Sequence, residues 1–205
     1  MRTRLGWIGA AVLIVVYGAF AVDQGVAELG FLTGAGPEGK HRAAPAAFVI
    51  HAFAGTVVLL AGPLQSLRWI RGRRRVRKGV GLAYVAGVWA AAGTALVMLP
   101  GFAVTALSRA IFAAIAVLWL GVTSAGFVQA WQGHHRAKHA WMLRSYALTF
   151  FFVTFSLWAP LLAATPLPAA VSYPAALLLG AGLNLAAAEW GISRVGHREA
   201  GALVD

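Results

Sequence analysis

The sequence predicts an all-α membrane protein, a polytopic helical bundle with six transmembrane helices and both termini in the cytoplasm. Of its 205 residues, 60% are hydrophobic and only 11% are charged, whereas soluble domains carry about 25% charged residues. The mean hydropathy is +0.75. Long apolar runs alternate with short polar segments, and each run can cross a hydrocarbon core of about 30 Å at 1.5 Å per residue. We therefore expect residues 1–205 to form one helical-bundle domain. We also expect the chain to be a multi-pass protein of the cell membrane.

Six apolar runs define the predicted spans. The first also resembles a cleavable signal peptide, because Arg2 and Arg4 precede it and Ala19-Phe20-Ala21 follows it. Its apolar core is long for a signal sequence, so we expect a retained anchor. The predicted spans are Leu5–Val22, Ala46–Trp69, Gly79–Leu99, Thr105–Trp131, Trp141–Ala163 and Tyr173–Ser193.

The connections between the runs predict how neighbouring spans are joined. Residues 23–45 are rich in Gly and Pro and show no clear period, which favours an irregular external flap. The other connections are short, which favours antiparallel packing of sequential helices. Ala83, Gly87, Ala91 and Ala95 recur every four residues, and such a small-residue face lets transmembrane helices pack closely.

The orientation follows from the distribution of Lys and Arg. Fourteen of the 17 fall on one side of the predicted spans, including seven from Arg68 to Lys78, and three fall on the other. Basic residues are enriched in cytoplasmic loops, so the termini and the 68–78 segment are predicted to face the cytoplasm. Five tryptophans lie near the same ends of the spans, as expected for an interfacial belt: Trp7, Trp69, Trp131, Trp141 and Trp190.

Charge and cysteine content exclude several classes of function. The net charge of +11 does not indicate nucleic-acid binding, because the basic residues lie between apolar spans and not on a soluble face. The expected partners are the lipid bilayer and its anionic headgroups, together with a membrane protein partner or a second copy of the chain. The absence of cysteine excludes disulfides, iron–sulfur clusters and covalently attached haem. No Ser-His-Asp or paired-carboxylate arrangement can be assembled, so soluble-type hydrolysis is not expected.

His51 is the first candidate site residue, because it lies about five residues, or roughly 7–8 Å, inside the second span. A neutral imidazole at that depth needs a hydrogen-bond partner. The interpretations are a hydrogen bond across the bundle, an axial ligand of haem b, or a proton relay. A haem would need a second ligand, for which the candidates are His41 in the external loop and Met98 near the outer end of the third span. Met98 also fits simple apolar packing.

His135 and His139 are four residues apart and would share one face of a helix. They are candidate cofactor ligands, although zinc sites need three or four ligands and no nearby carboxylate completes such a set. With Arg136 and Lys138 between them, they also fit a basic collar that contacts anionic lipid headgroups.

A cluster of polar residues falls at similar depth on the cytoplasmic side of the spans. Glu189 is the only carboxylate within a predicted span, and Arg144 is its expected counter-charge because an unpaired charge would be costly there. The pair predicts either a clamp between the fifth and sixth helices or the lining of a cytoplasm-facing pocket. The cluster consists of Gln65, Tyr84, Arg144, Asn184 and Glu189.

Four segments resemble a known family: HAFAGTVVLLAGPLQ at 51–65, GLAYV at 81–85, HAWMLRSYALTFFFVTF at 139–155 and NLAAAEW at 184–190. They are similar to the predicted membrane proteins called domain of unknown function 2306, over about residues 46–192. The resemblance implies a membrane bundle and carries no established activity. It implies candidate functional positions at His51, Gly62, Pro63, Gln65, Gly81, Tyr84, Trp141, Met142, Arg144, Ser145, Tyr146, Asn184 and Glu189.

The chain departs from the family pattern at three positions. Arg77 stands where members tend to have a histidine, the histidine before Trp141 is shifted by one to His139, and Ser156 replaces an arginine. A haem site built on the first two of those histidines would here lack the first, and the second would be displaced by one residue.

Three functions remain open from the sequence. The first is a haem-b redox protein or a factor serving a respiratory complex. The second is an accessory or scaffold subunit without a cofactor. The third is a small-molecule transporter or binding protein that uses the polar cluster; its usual sign is a broken helix, for which Gly180 and Gly182 in the sixth span are the candidates.

Overall fold

The computed structural model describes residues 2–34, 44–65, 67–102 and 104–201 and is all-helical over them. Within these residues six helical segments are long and apolar enough to cross a membrane, which confirms the predicted all-α class with six spans. The orientation of the termini stays a prediction. The helices are α1 (Arg2–Leu32), α2 (Pro45–Leu64), α3 (Arg68–Arg71), α4 (Arg74–Met98), α5 (Ala106–Trp131), α6 (His135–Thr149), α7 (Phe151–Ala163) and α8 (Ala169–Gly201), with one 3₁₀ turn at Leu99–Gly101.

The chain divides into two compact units, unit 1 over Met1–Val104 and unit 2 over Thr105–Asp205. Unit 1 contains α1–α4, and unit 2 contains α5–α8. Each contributes three of the six candidate spans, since α6 and α7 together form one span over His135–Ala163. A single bundle over residues 1–205 stays a prediction.

The first span is longer than predicted. The predicted span ends at Val22 and is followed by a flap over residues 23–45, but α1 continues to Leu32. Asp23 and Glu28 are therefore helical, and the flap prediction is wrong up to Leu32. Nothing in residues 23–32 breaks a helix, and the chain leaves it at Gly34, whose φ of +72° is a conformation that glycine adopts without steric cost. Residues 35–43 lie outside the described part of the chain.

Helices α4 and α6 begin five and six residues earlier than predicted, because basic residues continue the helix into the polar region. Arg74–Lys78 form the first turns of α4. His135–Ala140 form the first turns of α6, so His135 and His139 do lie on one helix. Lys and Arg are good helix formers with long apolar stems, and hydropathy alone therefore places these helix starts too late.

In unit 1, α2 packs against both α1 and α4. A Cβ added at Gly18 would lie 3.7 Å from Thr56 Cγ2, and one added at Gly25 would lie 3.2 Å from Ala52 Cβ, so α1 and α2 are antiparallel. Against α4, a Cβ added at Gly87 would lie 2.6 Å from Val58 Cγ2. Gly87 of the predicted small-residue face thus lies at the α2–α4 contact, where its lack of a side chain allows the close approach of the two helices.

In unit 2, the core lies between α5, α6, α7 and α8. Val122, Leu148, Phe151, Leu177 and Ala181 form its buried centre. Aromatic rings pack around them, with Phe112 edge-on to Phe155 at a centroid distance of 5.8 Å. Together these contacts fix the three spans around one apolar centre.

The fifth span is interrupted once, between α6 and α7 at Phe150. The backbone of Phe150 stays αR, at φ −73° and ψ −9°, so the span has a local irregularity without an unwound segment. The sixth span is continuous as α8 from Ala169 to Gly201. The suggestion that Gly180 and Gly182 interrupt it is therefore wrong. At Gly180 an added Cβ would lie 3.2 Å from the backbone nitrogen of Phe155, so this glycine serves close packing of α8 on α7.

Candidate functional site

The ion pair between Arg144 and Glu189 is the centre of the polar cluster in unit 2. Arg144 on α6 donates from Nε to Glu189 Oε1 at 2.5 Å and from Nη2 to Oε2 at 2.9 Å. This bidentate arrangement matches the planar guanidinium to the planar carboxylate. The predicted pairing of Arg144 with Glu189 is confirmed, and this ion pair joins α6 to α8.

The pair lies at the surface of the unit and not in its core. The side chains of Arg144 and Glu189 are 26% and 52% exposed. The Arg144 guanidinium also lies 5.0 Å from the centroid of the Trp141 ring, within the range of a cation–π contact. Because a carboxylate accepts about four hydrogen bonds, Glu189 retains acceptor capacity toward a further donor.

Asn184 joins α8 to the junction between α6 and α7. Its Nδ2 donates to the Ala147 carbonyl at 3.1 Å and to Thr154 Oγ1 at 3.0 Å. The Thr154 hydroxyl also lies 3.4 Å from the Gly180 carbonyl. A side chain that bonds a helical carbonyl is one cause of local helix irregularity, which explains why the interruption falls at Phe150.

A second polar contact lies deeper between α5 and α6. Thr123 Oγ1 and Ser145 Oγ are 2.6 Å apart, and both residues are buried. Thr123 Oγ1 also donates to the Trp119 carbonyl at 2.7 Å. Among the buried side-chain nitrogens and oxygens of the described residues, Trp119 Nε1 lacks a hydrogen-bond partner. The polar groups of unit 2 therefore mostly satisfy one another, as buried polar groups in a membrane must.

Gln65 and Tyr84, the other members of the predicted cluster, belong to unit 1. Tyr84 is 1% exposed. Gln65 Nε2 donates to the Ala61 carbonyl at 3.4 Å, and its Oε1 lies 3.9 Å from the Cβ position of Gly81, one turn before Tyr84. These two residues lie along the α2–α4 contact, whereas Arg144, Asn184 and Glu189 join the helices of unit 2.

His51 also lies at the α2–α4 contact. Its Nδ1 is 2.7 Å from the Ala91 carbonyl, so the hydrogen bond across helices, one of the three interpretations of this residue, is present. Because a carbonyl oxygen only accepts, Nδ1 is the donor in this hydrogen bond. Met98 is buried, at 5% exposed, in the last turn of α4. His41 lies outside the described residues.

The histidines of the predicted collar are exposed at the start of unit 2's second span. His134, His135 and His139 are all exposed, and His134 Nδ1 lies 3.0 Å from Gln129 Oε1. In the part of the chain that the structure describes, no three His, Cys, Asp or Glu side chains come together as a metal site.

Glu28 is the residue that the sequence analysis missed. It was assigned to the external flap, but it lies in α1, within the candidate span Ala11–Leu32, and is 3% exposed. Glu189 is therefore not the only carboxylate in a span. The signal in the sequence is that residues 23–32 can continue the helix. Gln24 and Glu28, four residues apart, then lie on one face of it.

These features define a polytopic membrane protein whose spans are joined by a few polar contacts. The chain belongs to a family of predicted membrane proteins, DUF2306, whose family model matches residues 48–192. That range includes every candidate site residue named above except Glu28 and His41, and it confirms the family resemblance. No curated protein and no solved structure gives a significant match.

Proposed function

We propose that the protein is an accessory subunit that binds a transmembrane helix of a membrane partner through one face of α8. The observation that carries this proposal is the exposed Glu189 carboxylate on a small-residue face. Gly182, Ala186 and Glu189 are spaced by four and three residues, so they share one side of the helix. All three are exposed.

This α8 face has the composition of a transmembrane helix interface. A Cβ added at Gly182 would meet no atom within 4 Å among the described residues. Small residues let a second helix approach closely, and a polar side chain beside them supplies a hydrogen bond across the contact. Arg144 holds Glu189 in place, and the remaining acceptor capacity of the carboxylate points to a donor on the partner.

The test is the size of the assembly extracted from native membranes into lipid nanodiscs. Gly182→Leu should block the approach of a second helix and reduce the assembly to the single chain. Gly121→Leu is the matched control, because Gly121 on α5 is exposed and also meets no atom within 4 Å. A wild-type chain that is monomeric in native membranes would contradict the proposal. Stabilisation by a small ligand that depends on Glu189 would instead support binding or transport.

A haem-b redox role is the second candidate, and the His51 hydrogen bond is compatible with it. A ligating histidine commonly donates its other ring N–H to a backbone carbonyl, and His51 Nδ1 lies 2.7 Å from the Ala91 carbonyl. Met98 or His41 would supply the second ligand. The test is a dithionite-reduced minus oxidised absorption spectrum of the purified protein. A Soret band that His51→Ala abolishes supports haem binding. Purified protein that contains no iron in stoichiometric amount excludes it.

We further propose that the protein resides in the cell membrane with both termini in the cytoplasm. The excess of Lys and Arg on one side of the spans supports this orientation. Exposed arginines stack on exposed tryptophans near the ends of two spans: Arg73 lies 4.4 Å from the Trp69 ring centroid and Arg194 lies 3.8 Å from that of Trp190. Both residue types are typical of the membrane interface.

A further inference from the structure

A groove runs between α1 and α2 on the surface of unit 1. It encloses about 290 Å³ and is lined by α1 residues between Ile14 and Val22 and by Thr56 and Leu60 of α2. Gly18 opens it, because the glycine contributes no side chain where α1 passes Thr56. The groove lies within two candidate membrane spans, so hydrocarbon surrounds it.

The groove is apolar along its length. Thr56 is the one lining residue with a polar side chain, and its hydroxyl donates to the Ala52 carbonyl at 2.9 Å. From Ile14 to Val22 the groove extends about 12 Å along α1, close to the roughly 15 Å that one leaflet of a 30 Å hydrocarbon core provides. Its chemistry and length therefore fit a lipid acyl chain.

One end of the groove lies near the depth at which α2 ends and the chain enters a dense basic segment. Since Gly18 lies beside Thr56 and the helices are antiparallel, Ile14 is level with Leu60, one turn before the end of α2. Beyond that end, residues 68–78 contain seven Arg or Lys and no acidic residue. Arg73, Arg74, Arg75, Arg77 and Lys78 are exposed there.

We propose that unit 1 binds an anionic phospholipid of the adjoining leaflet. The α1–α2 groove takes one acyl chain, and the basic side chains at the start of α4 take the phosphate. The five exposed basic side chains of this segment, which has no Asp or Glu in its sequence from 68 to 78, select a headgroup with net negative charge over a zwitterionic one. Each Lys or Arg near a membrane surface attracts anionic lipid. Trp69, beneath Arg73, supplies an interfacial ring at the level between headgroup and chain.

The experiment is native mass spectrometry of the full chain from nanodiscs that contain equal amounts of phosphatidylglycerol and phosphatidylcholine. Wild type should retain phosphatidylglycerol. Gly18→Leu should lose the retained lipid, because the new side chain fills the groove. Gly93→Leu is the matched control on α4, where an added Cβ meets no atom within 4 Å among the described residues, and it should retain lipid as wild type does. Gly18→Ala, with its Cβ in ordinary contact with Thr56 at 3.7 Å, tests the same site if the leucine variant does not fold.

A second variant separates the headgroup from the chain. Replacing Arg75, Arg77 and Lys78 by Gln should reduce the preference for phosphatidylglycerol by about fivefold for each charge removed while total bound lipid is retained. The proposal is overturned if wild type retains no lipid, if it retains the two phospholipids equally, or if the Gly18 variants retain as much lipid as Gly93→Leu does.

Discussion

Arg144 and Glu189, 45 residues apart in sequence, form a bidentate ion pair whose two hydrogen bonds measure 2.5 and 2.9 Å. The pair joins the fifth span to the sixth and leaves the carboxylate half exposed. A fixed, outward-facing carboxylate next to Gly182 and Ala186 is what distinguishes this face of α8 from an ordinary lipid-facing surface.

Removing one member of the ion pair should destabilise unit 2. Glu189→Gln and Arg144→Gln should each lower the free energy of unfolding by about 1 kcal/mol, the upper end for exposed pairs, because each leaves an unpaired charge or donor. Thermal unfolding in mild detergent measures the loss. The double variant should cost less than the two losses added together, and strict additivity would show that the residues do not interact.

The Asn184 bridge should contribute to the junction between α6 and α7. Asn184→Leu removes the hydrogen bonds to Ala147 and Thr154, and we expect a coupling of about 0.6 kcal/mol with Thr154→Val in a double-mutant cycle of unfolding free energies. Ser156→Ala is the control, since the Ser156 hydroxyl donates within its own helix to Phe152 at 2.8 Å. Equal coupling of Asn184 to Ser156 would contradict the bridge.

Gly87 should tolerate no side chain, because it sets the distance between α2 and α4. An alanine Cβ there would lie 2.6 Å from Val58 Cγ2 and 3.4 Å from the Ala54 carbonyl. Gly87→Ala should therefore cost about 1–3 kcal/mol, measured by thermal unfolding. Gly93→Ala on the same helix meets no atom within 4 Å among the described residues and should be neutral or stabilising by up to about 1 kcal/mol. A similar response of the two variants would show that α4 does not pack on α2 through Gly87.

The proposed orientation predicts which introduced thiols can be labelled in intact cells. The chain has no cysteine, so single substitutions give no background. Thr33→Cys and Gly101→Cys, near the ends of α1 and α4, should react with an impermeant maleimide from outside. Arg75→Cys and Gly133→Cys should react only after permeabilisation. The reverse pattern would place the basic segment and the termini outside.

The order and number of the spans were predictable from the sequence, but several of their ends were not. Hydropathy located α5 within one residue because apolar and polar residues change abruptly at Thr105 and Trp131. It ended α1 at Val22 because Asp23 and Glu28 are charged, although the helix continues to Leu32. Charged residues lower hydropathy without breaking a helix, and Glu28 was missed for that reason.

The candidate site was only partly predictable. Arg144 and Glu189 were paired correctly from charge alone, since an isolated carboxylate in a span needs a counter-charge. The partners of Asn184 were not predictable, because an amide bonds any nearby carbonyl or hydroxyl. Nor could the sequence assign Gln65 and Tyr84 to one unit and Arg144, Asn184 and Glu189 to the other, because similar depth in a membrane does not specify lateral position.

By itself, the sequence determined the membrane class, the number of spans and the family, because length, hydropathy and motif letters are properties of the chain alone. Only the tertiary structure decided that His51 bonds Ala91, that Asn184 bridges to Thr154, and that Gly18 opens a groove beside Thr56. Each of these depends on which residues of two different helices meet. That register is set by close packing of side chains, and no single helix encodes it.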